Sequence, residues 1–266
     1  MPFTAAHPLA VLPLLRLGPR RLGLDPTCLV IGSMAPDFEY FVRGEQISSI
    51  SHTLAGLWLW NLPATLVLAA LVHGVLKWPM LLVAPAAIAR RAVRLVGRPW
   101  RARWGVAALA SCTISALLGA ATHLAWDSVT HADGFGPQHF RALKAPIALP
   151  VVGTMVLHRA LQHASTLVGL GVLAALVVRW LVRSRPVALP AAPRLAARLL
   201  VVACVAIAAA LIVARLVGKR ATDPGDLIVG AIAGALAGVI VASVALTGRA
   251  RRFHRAVIAV STTAIA

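Results

Sequence analysis

Acidic residues are scarce in this chain. Asp and Glu together number 8 against 26 Lys and Arg, and no Glu follows His131. Charge of either sign is thin, at 13% of residues, where a soluble domain carries roughly 25%. With 59% hydrophobic residues and a mean hydropathy of +0.84, this excludes an ordinary soluble domain and points to a membrane protein. A formal net charge of +18 would suggest nucleic acid in a soluble chain. Here no zinc-finger spacing and no RNA-binding aromatic box accompanies it, so nucleic acid is not an expected partner. The basic residues lie in short clusters between apolar runs, where they fix topology and touch anionic headgroups; the expected partners are membrane lipids. Cysteine is also rare. Cys28, Cys112 and Cys204 are isolated in apolar surroundings, which argues against a disulfide framework or a thiolate metal site and for small buried hydrophobes. The N-terminus lacks the positive leader of a secretory signal, its first charge being Arg16, and is expected to be retained.

What the chain has in abundance is long apolar runs. A helix needs about 20 apolar residues to cross hydrocarbon, and five windows reach or approach that length: 53–76, 104–126, 166–182, 199–217 and 227–246. The expected fold is all-α, a polytopic membrane bundle of about five transmembrane helices. Short interfacial or re-entrant helices precede them, built from "AAHPLAVLPLL" and "LDPTCLVIGSMAPDF". The expected organisation is a motif-bearing membrane domain over 1–182, a Pro-rich basic linker over 183–198, a two-helix hairpin over 199–248 and a basic tail over 249–266. Gly230, Gly234 and Gly238 recur at four-residue spacing in the last run, the small-residue face that lets membrane helices approach closely. Asn61 with Pro63 is expected to kink the first run, since proline removes a helix hydrogen bond.

Arginine and lysine outside these runs are more numerous on one side, which places the N-terminus outside the cytoplasm of a cell membrane by the positive-inside rule. A parity argument holds for either orientation. With two spans between them, the segment before the first span and the segment after the second lie on the same side.

Those two segments hold most of the polar residues with chemical potential. In "ATHLAWDSVTH", His123, Asp127 and His131 recur every fourth position. A helix turns about 100° per residue, so the three form one stripe with neighbours about 6 Å apart. Adjacent pairs have the i, i+4 spacing by which helical histidines share a zinc ion. Three in a row are too extended for one ion unless the helix end unwinds, so the run implies either one pair with a supporting residue or two neighbouring ions. An Asp in a membrane helix costs about 2.5–3.5 kcal/mol at its centre and marks function by default. On the same side stand His7, Asp37 after "GSMAP", Glu39 and His52. The set offers imidazoles and carboxylates without thiolates, which suits zinc or manganese. His163 in "LQHAS" begins the third run on that side as a weaker candidate, and Asp133 extends the second motif as a turn.

The ordered motifs "FTAAHPLAVLP", "VIGSMAPDFEYF", "SHTLAG", "HLAWDSVTHADG" and "LQHAS" resemble an uncharacterised bacterial family of multi-pass membrane proteins, classified only as a domain of unknown function. The arrangement His, Asp, His, then His-x3-Asp-x3-His is in turn similar to membrane-bound metal-dependent hydrolases of the damage-inducible inner-membrane type. More distantly it is similar to zinc-dependent phospholipase C and single-strand nucleases. That resemblance implies metal ligation by His7, Asp37, His52, His123, Asp127 and His131. The distant enzymes bind three zinc ions and use a later His-x3-Glu pair. This chain offers only His139, His158 and His163 there, so one or two ions, zinc by preference, are expected.

The leading expectation is a membrane-embedded metal-dependent hydrolase acting on a phosphoester or lipid headgroup, with Glu39 or Asp133 accepting a proton and Arg43 and Arg141 attracting an anionic headgroup. The alternative is a non-enzymatic membrane protein that binds metal or has a structural role in the envelope. The last two runs are nearly featureless, which counts against transport.

Overall fold

The computed structural model describes residues 3–18, 22–100, 105–150, 153–190, 194–217 and 224–263. A 3-10 helix, Thr4–Leu9, leads to α1 (Leu12–Leu17) and α2 (Pro26–Gly32). α2 begins where the Asp25 carboxylate accepts the Cys28 N–H at 2.9 Å and Pro26 takes the first helical position, the pairing of acceptor cap and pre-set φ that starts helices. A 3-10 turn, Ala35–Asp37, runs into α3 (Phe38–Arg43). The first long helix starts after Thr53, whose hydroxyl accepts the Gly56 N–H at 2.9 Å. It passes through α4 (Leu54–Gly56), a π turn Leu57–Asn61, α5 (Leu62–Leu71), a second π turn Val72–Leu76 and α6 (Lys77–Val83). The first π turn lies just before Pro63, so the lost donor is absorbed by local widening of the ladder.

After α7 (Ala86–Val96) come α8 (Val106–Thr130) and α9 (Phe135–His139). A hairpin of β1 (Pro146–Leu149) and β2 (Gly153–Val156) follows, paired antiparallel with Leu149 opposite Gly153. This pair is a departure from the purely helical expectation. The chain ends in α10 (Leu157–Arg183), α11 (Arg194–Val217), α12 (Pro224–Ala245) and α13 (Thr247–Thr263). α11 begins inside the segment expected as linker, and the basic tail is helical over its described part.

Four helices among the described residues are long and apolar enough to cross a membrane: Leu54–Val83, Val106–His139, Leu157–Arg183 and Gly225–Ala245. They correspond to the first, second, third and fifth apolar runs. The fourth run is helical, but its apolar stretch, Leu199–Leu211, is shorter. Large apolar side chains along the four, among them Leu54, Trp58, Val106 and Leu167, are exposed. Apolar surface on helices of this length suits hydrocarbon, and the chain has the character of a membrane protein.

Two compact units interleave along the sequence. The first comprises Met1–Phe38, Ser48–Ala69 and Arg101–Arg179. In it α2 lies against α8 with glycine at the contact: a Cβ on Gly32 would come within 2.5 Å of the Ala116 carbonyl oxygen, and one on Gly119 would run into the Leu29 carbonyl oxygen. The Asp25 N–H donates to the Ser115 hydroxyl at 2.8 Å, and the Ser111 hydroxyl donates to the Gly23 carbonyl at 2.5 Å. Residues 23–33 thus run alongside residues 111–123 of α8, about 18 Å of helix. The second unit comprises Glu39–Ile47, Ala70–Trp100 and Trp180–Ala266. Its core joins Leu81, Leu82, Val93, Leu246 and Phe253. There the glycine stripe of α12 meets α11: a Cβ on Gly238 would come within 2.6 Å of the Cys204 Cα, which is the close approach expected of it.

Candidate metal centre

Six sequence-predicted ligands belong to the first unit, delivered by four separate pieces of chain. His7 lies in the first 3-10 helix, with Pro8 fixing the backbone next to it, and is buried. Asp37 ends the 3-10 turn that follows Gly32, and it is fully buried. His52 stands in the turn before α4. His123 and Asp127 project from the last turns of α8, one turn apart, and both are buried. The helix ends at Thr130, and His131 is its extended C-cap. The helix unwinds at that residue, and His131 belongs to neither of the two sets of three donors formed by its neighbours. His131 Nδ1 turns back to the Asp127 backbone carbonyl at 3.1 Å and lies 3.7 Å from Asp127 Oδ1.

The donor atoms converge. His123 Nε2 is 3.2 Å from Asp127 Oδ2 and 3.5 Å from Asp37 Oδ1. His52 Nε2 is 3.6 Å from Asp37 Oδ1 and 3.7 Å from Asp127 Oδ2. His7 Nε2 is 3.8 Å from Asp127 Oδ1, and its ring stacks on that of His123 with centroids 3.6 Å apart. Most of these separations exceed the 2.7–3.2 Å of a good N–H···O bond. They match instead the edges of a coordination sphere, since two donors each about 2.1 Å from a tetrahedral ion stand about 3.4 Å apart. His7 Nε2, His123 Nε2 and both carboxylate oxygens of Asp37 and Asp127 are buried without a hydrogen-bond partner. Leaving such groups unsatisfied costs about 1–3 kcal/mol each, and more when charged. A cation among them removes that penalty for all six atoms at once.

Two sets of three donors could each hold a metal ion, namely His7, His123 and Asp127, and Asp37, His52 and His123. They share His123. The other ring nitrogens are held as in metal sites, where the non-ligating nitrogen is fixed by a second bond. His123 Nδ1 donates to the Ser33 carbonyl at 2.9 Å, leaving Nε2 as the lone-pair nitrogen of the neutral ring. His52 Nδ1 is bonded to the Ser51 hydroxyl at 2.9 Å. Burial, with His123 adding to it, lowers the His7 pKa to about 4, so this imidazole keeps its lone pair in mild acid. Burial alone would raise the Asp37 carboxyl, but in the metal-free protein positive charge on the neighbouring His123 imidazole outweighs it and holds Asp37 below the ordinary carboxylate range.

The other predicted residues lie apart from these two sets. Glu39 belongs to the second unit, where Arg43 Nε and Nη2 contact its Oε1 at 2.8 and 2.7 Å. The expected proton acceptor and the expected headgroup-attracting arginine are therefore partners of one another. Asp133 is exposed in the turn after α8, where its backbone carbonyl accepts from the Gln138 amide at 2.8 Å. His139 and His158 direct Nδ1 to the carbonyls of Phe135 and Leu143, and His163 is exposed on α10. In the second unit His73 stacks on Trp100 and His254 on Trp78.

Three relationships escaped the sequence reading. Asn61, read in the sequence with Pro63 as the site of a kink, donates its amide to the Ser51 carbonyl at 2.9 Å and so braces the turn that presents His52. The i, i+4 spacing of Glu39 and Arg43 could have signalled their pairing; no local pattern marks that of Asn61. Cys28 and Cys112, isolated in sequence, meet beside Asp25 between α2 and α8 and form a further set of three donors. Burial and the Cys112 thiol push the Cys28 pKa far above its ordinary value, which keeps it a thiol.

The chain belongs to the family described as Domain of unknown function (DUF4184), which it matches over residues 1–244. No curated protein and no solved structure matches it.

Proposed function

We propose that this chain is a membrane-embedded, metal-dependent hydrolase that acts on a phosphoester or lipid headgroup, with its site at the extracytoplasmic face of a cell membrane. The observation that carries the reading is the convergence of buried, unpaired imidazole nitrogens and carboxylate oxygens at coordination-sphere spacing. His7, His52 and His123 would each offer Nε2, and Asp37 and Asp127 their carboxylates, to one or two ions. Zinc suits such a donor set. Asp127 faces all four histidines, with one oxygen toward His7 and His131 and the other toward His52 and His123, so each of its oxygens could be offered beside a different pair of imidazoles. A bound zinc ion supplies a water with its pKa lowered to about 7 and polarises a phosphoryl oxygen.

The residues around the ion supply the rest. Asp133, exposed beyond the helix end, would be the proton acceptor, since Glu39 is engaged by Arg43. Hydrolysis adds a water oxygen to phosphorus, breaks the bond to the leaving oxygen and returns a proton to that oxygen. Arg141 in the following loop would attract the anionic headgroup.

Elemental analysis of the detergent-purified protein, prepared without chelator beside Asp127→Ala, tests the reading. Stoichiometric zinc in the wild type, its loss in the variant and turnover of a phosphodiester are expected. No bound transition metal would overturn it, and metal without turnover would favour the non-enzymatic alternative.

A further inference from the structure

Next to the candidate metal centre, the first unit carries a second feature that the ligand set does not use. A cavity of about 340 Å³ opens between the N-terminal 3-10 helix, the end of α8 and the start of α10, with His7, Leu9, Trp126, Leu161, Ala164 and Val168 in its walls. Its size falls at the low end of ligand cavities, about 300–1,000 Å³. Apart from His7 and Ser165 its walls are apolar, and apolar cavities of this kind stay dry. The Phe3 N–H donates to the Thr166 hydroxyl at 3.0 Å, and a Cβ on Gly169 would come within 2.9 Å of the Ala6 Cβ. These contacts hold the N-terminal 3-10 helix against α10.

We propose that this groove holds one hydrocarbon chain of a membrane lipid, which makes the substrate of the metal centre an amphiphile whose headgroup ester is brought to the ions by its own chain. The inference rests on the hydrolase reading and narrows its substrate class. Three observations support it. α10 is long and apolar enough to cross a membrane, and Val168 in the groove wall is 59% exposed, so the medium at its mouth is hydrocarbon. His7 is part of the groove's lining, and its Nε2 lies 3.8 Å from Asp127; a chain lying in it lies beside the donor cluster. Finally, Arg141, Lys144 and Arg159 precede the groove-lining part of α10, and no acidic residue occurs between Asp133 and Asp223. That balance favours an anionic headgroup.

The test fills the groove without touching a ligand. Ala164→Phe, with Ala164→Leu as a milder variant, is compared with wild type by native mass spectrometry of phosphatidylglycerol binding, by zinc content and by hydrolysis. Two substrates are used: micellar phosphatidylglycerol and the chainless, water-soluble bis(p-nitrophenyl) phosphate. Zinc content and turnover of the soluble diester should stay at wild-type level. Lipid affinity and micellar turnover should fall about tenfold in the Phe variant and less in the Leu variant. Undiminished lipid binding by a folded, zinc-replete Phe variant overturns the groove assignment, as does an equal loss on both substrates. If neither substrate is turned over while lipid binding still depends on residue 164, the hydrolase reading falls and the groove stands.

Discussion

His123 Nδ1 donates to the backbone carbonyl of Ser33, ninety residues earlier in the chain, at 2.9 Å. Through this bond the end of α2 sets the tautomer and direction of the imidazole shared by both donor sets. The bond exists because α2 and α8 touch through Gly32 and Gly119, where no side chain holds the backbones apart.

Gly119→Ala is therefore expected to act at a distance from any ligand. Its methyl would collide with the Leu29 carbonyl and lie 2.7 Å from the Ser33 N–H, and overpacking of this kind costs about 1–3 kcal/mol. Thermal unfolding in detergent should show that loss together with weakened zinc retention. A variant with wild-type stability and zinc content would show that the helix contact does not govern the site.

The six candidate ligands are not equivalent. Asp127 is within 4 Å of four histidines, whereas His131 stands within 4 Å of one carboxylate among the described residues, that of Asp127. Asp127→Ala should abolish stoichiometric metal binding. His131→Ala should weaken it by about 10–100-fold, the range for residues that support a ligand. Competition titration with a chelating dye measures both, and the reverse order would contradict the geometry.

Asn61 is expected to act on metal affinity through His52. Its amide holds the Ser51 carbonyl, and the Ser51 hydroxyl holds His52 Nδ1. Asn61→Ala should weaken zinc binding by about 10–100-fold, with His52→Ala epistatic to it. Additive losses in the double variant would disconnect the two residues.

The metal-free protein should lose stability toward acid. An unfolded imidazole protonates near pH 6.5, whereas folded His7 does so near 4. Between those values the unfolded state binds more protons, so the contribution of His7 is complete above about pH 6.5, falls as pH drops and levels off below about 4. Asp37, held below the carboxylate range, adds a loss of the same sign once pH falls below about 4. Melting of chelator-treated protein across this range, beside His7→Phe, should show a flatter profile in the variant between pH 6.5 and 4. Parallel profiles would mean that His7 is not buried as a neutral base.

The sequence by itself determined the helical character, four of the five apolar runs as helices of membrane-crossing length, and the stripe of His123, Asp127 and His131. These follow from local composition and from a 3.6-residue period, which depend on nothing outside the segment. It also nominated His7, Asp37 and His52, because few polar residues interrupt the apolar chain. Only the tertiary structure decided how the six are arranged, with His123 shared between two donor sets and Asp127 facing four histidines. It alone decided that Arg43 takes Glu39, that Asn61 reaches Ser51, that Cys28 meets Cys112, and that a groove opens beside His7. Each of these depends on backbones brought together across tens of residues by glycine contacts and turns. Such approach distances have no local period, so no reading along the chain could supply them.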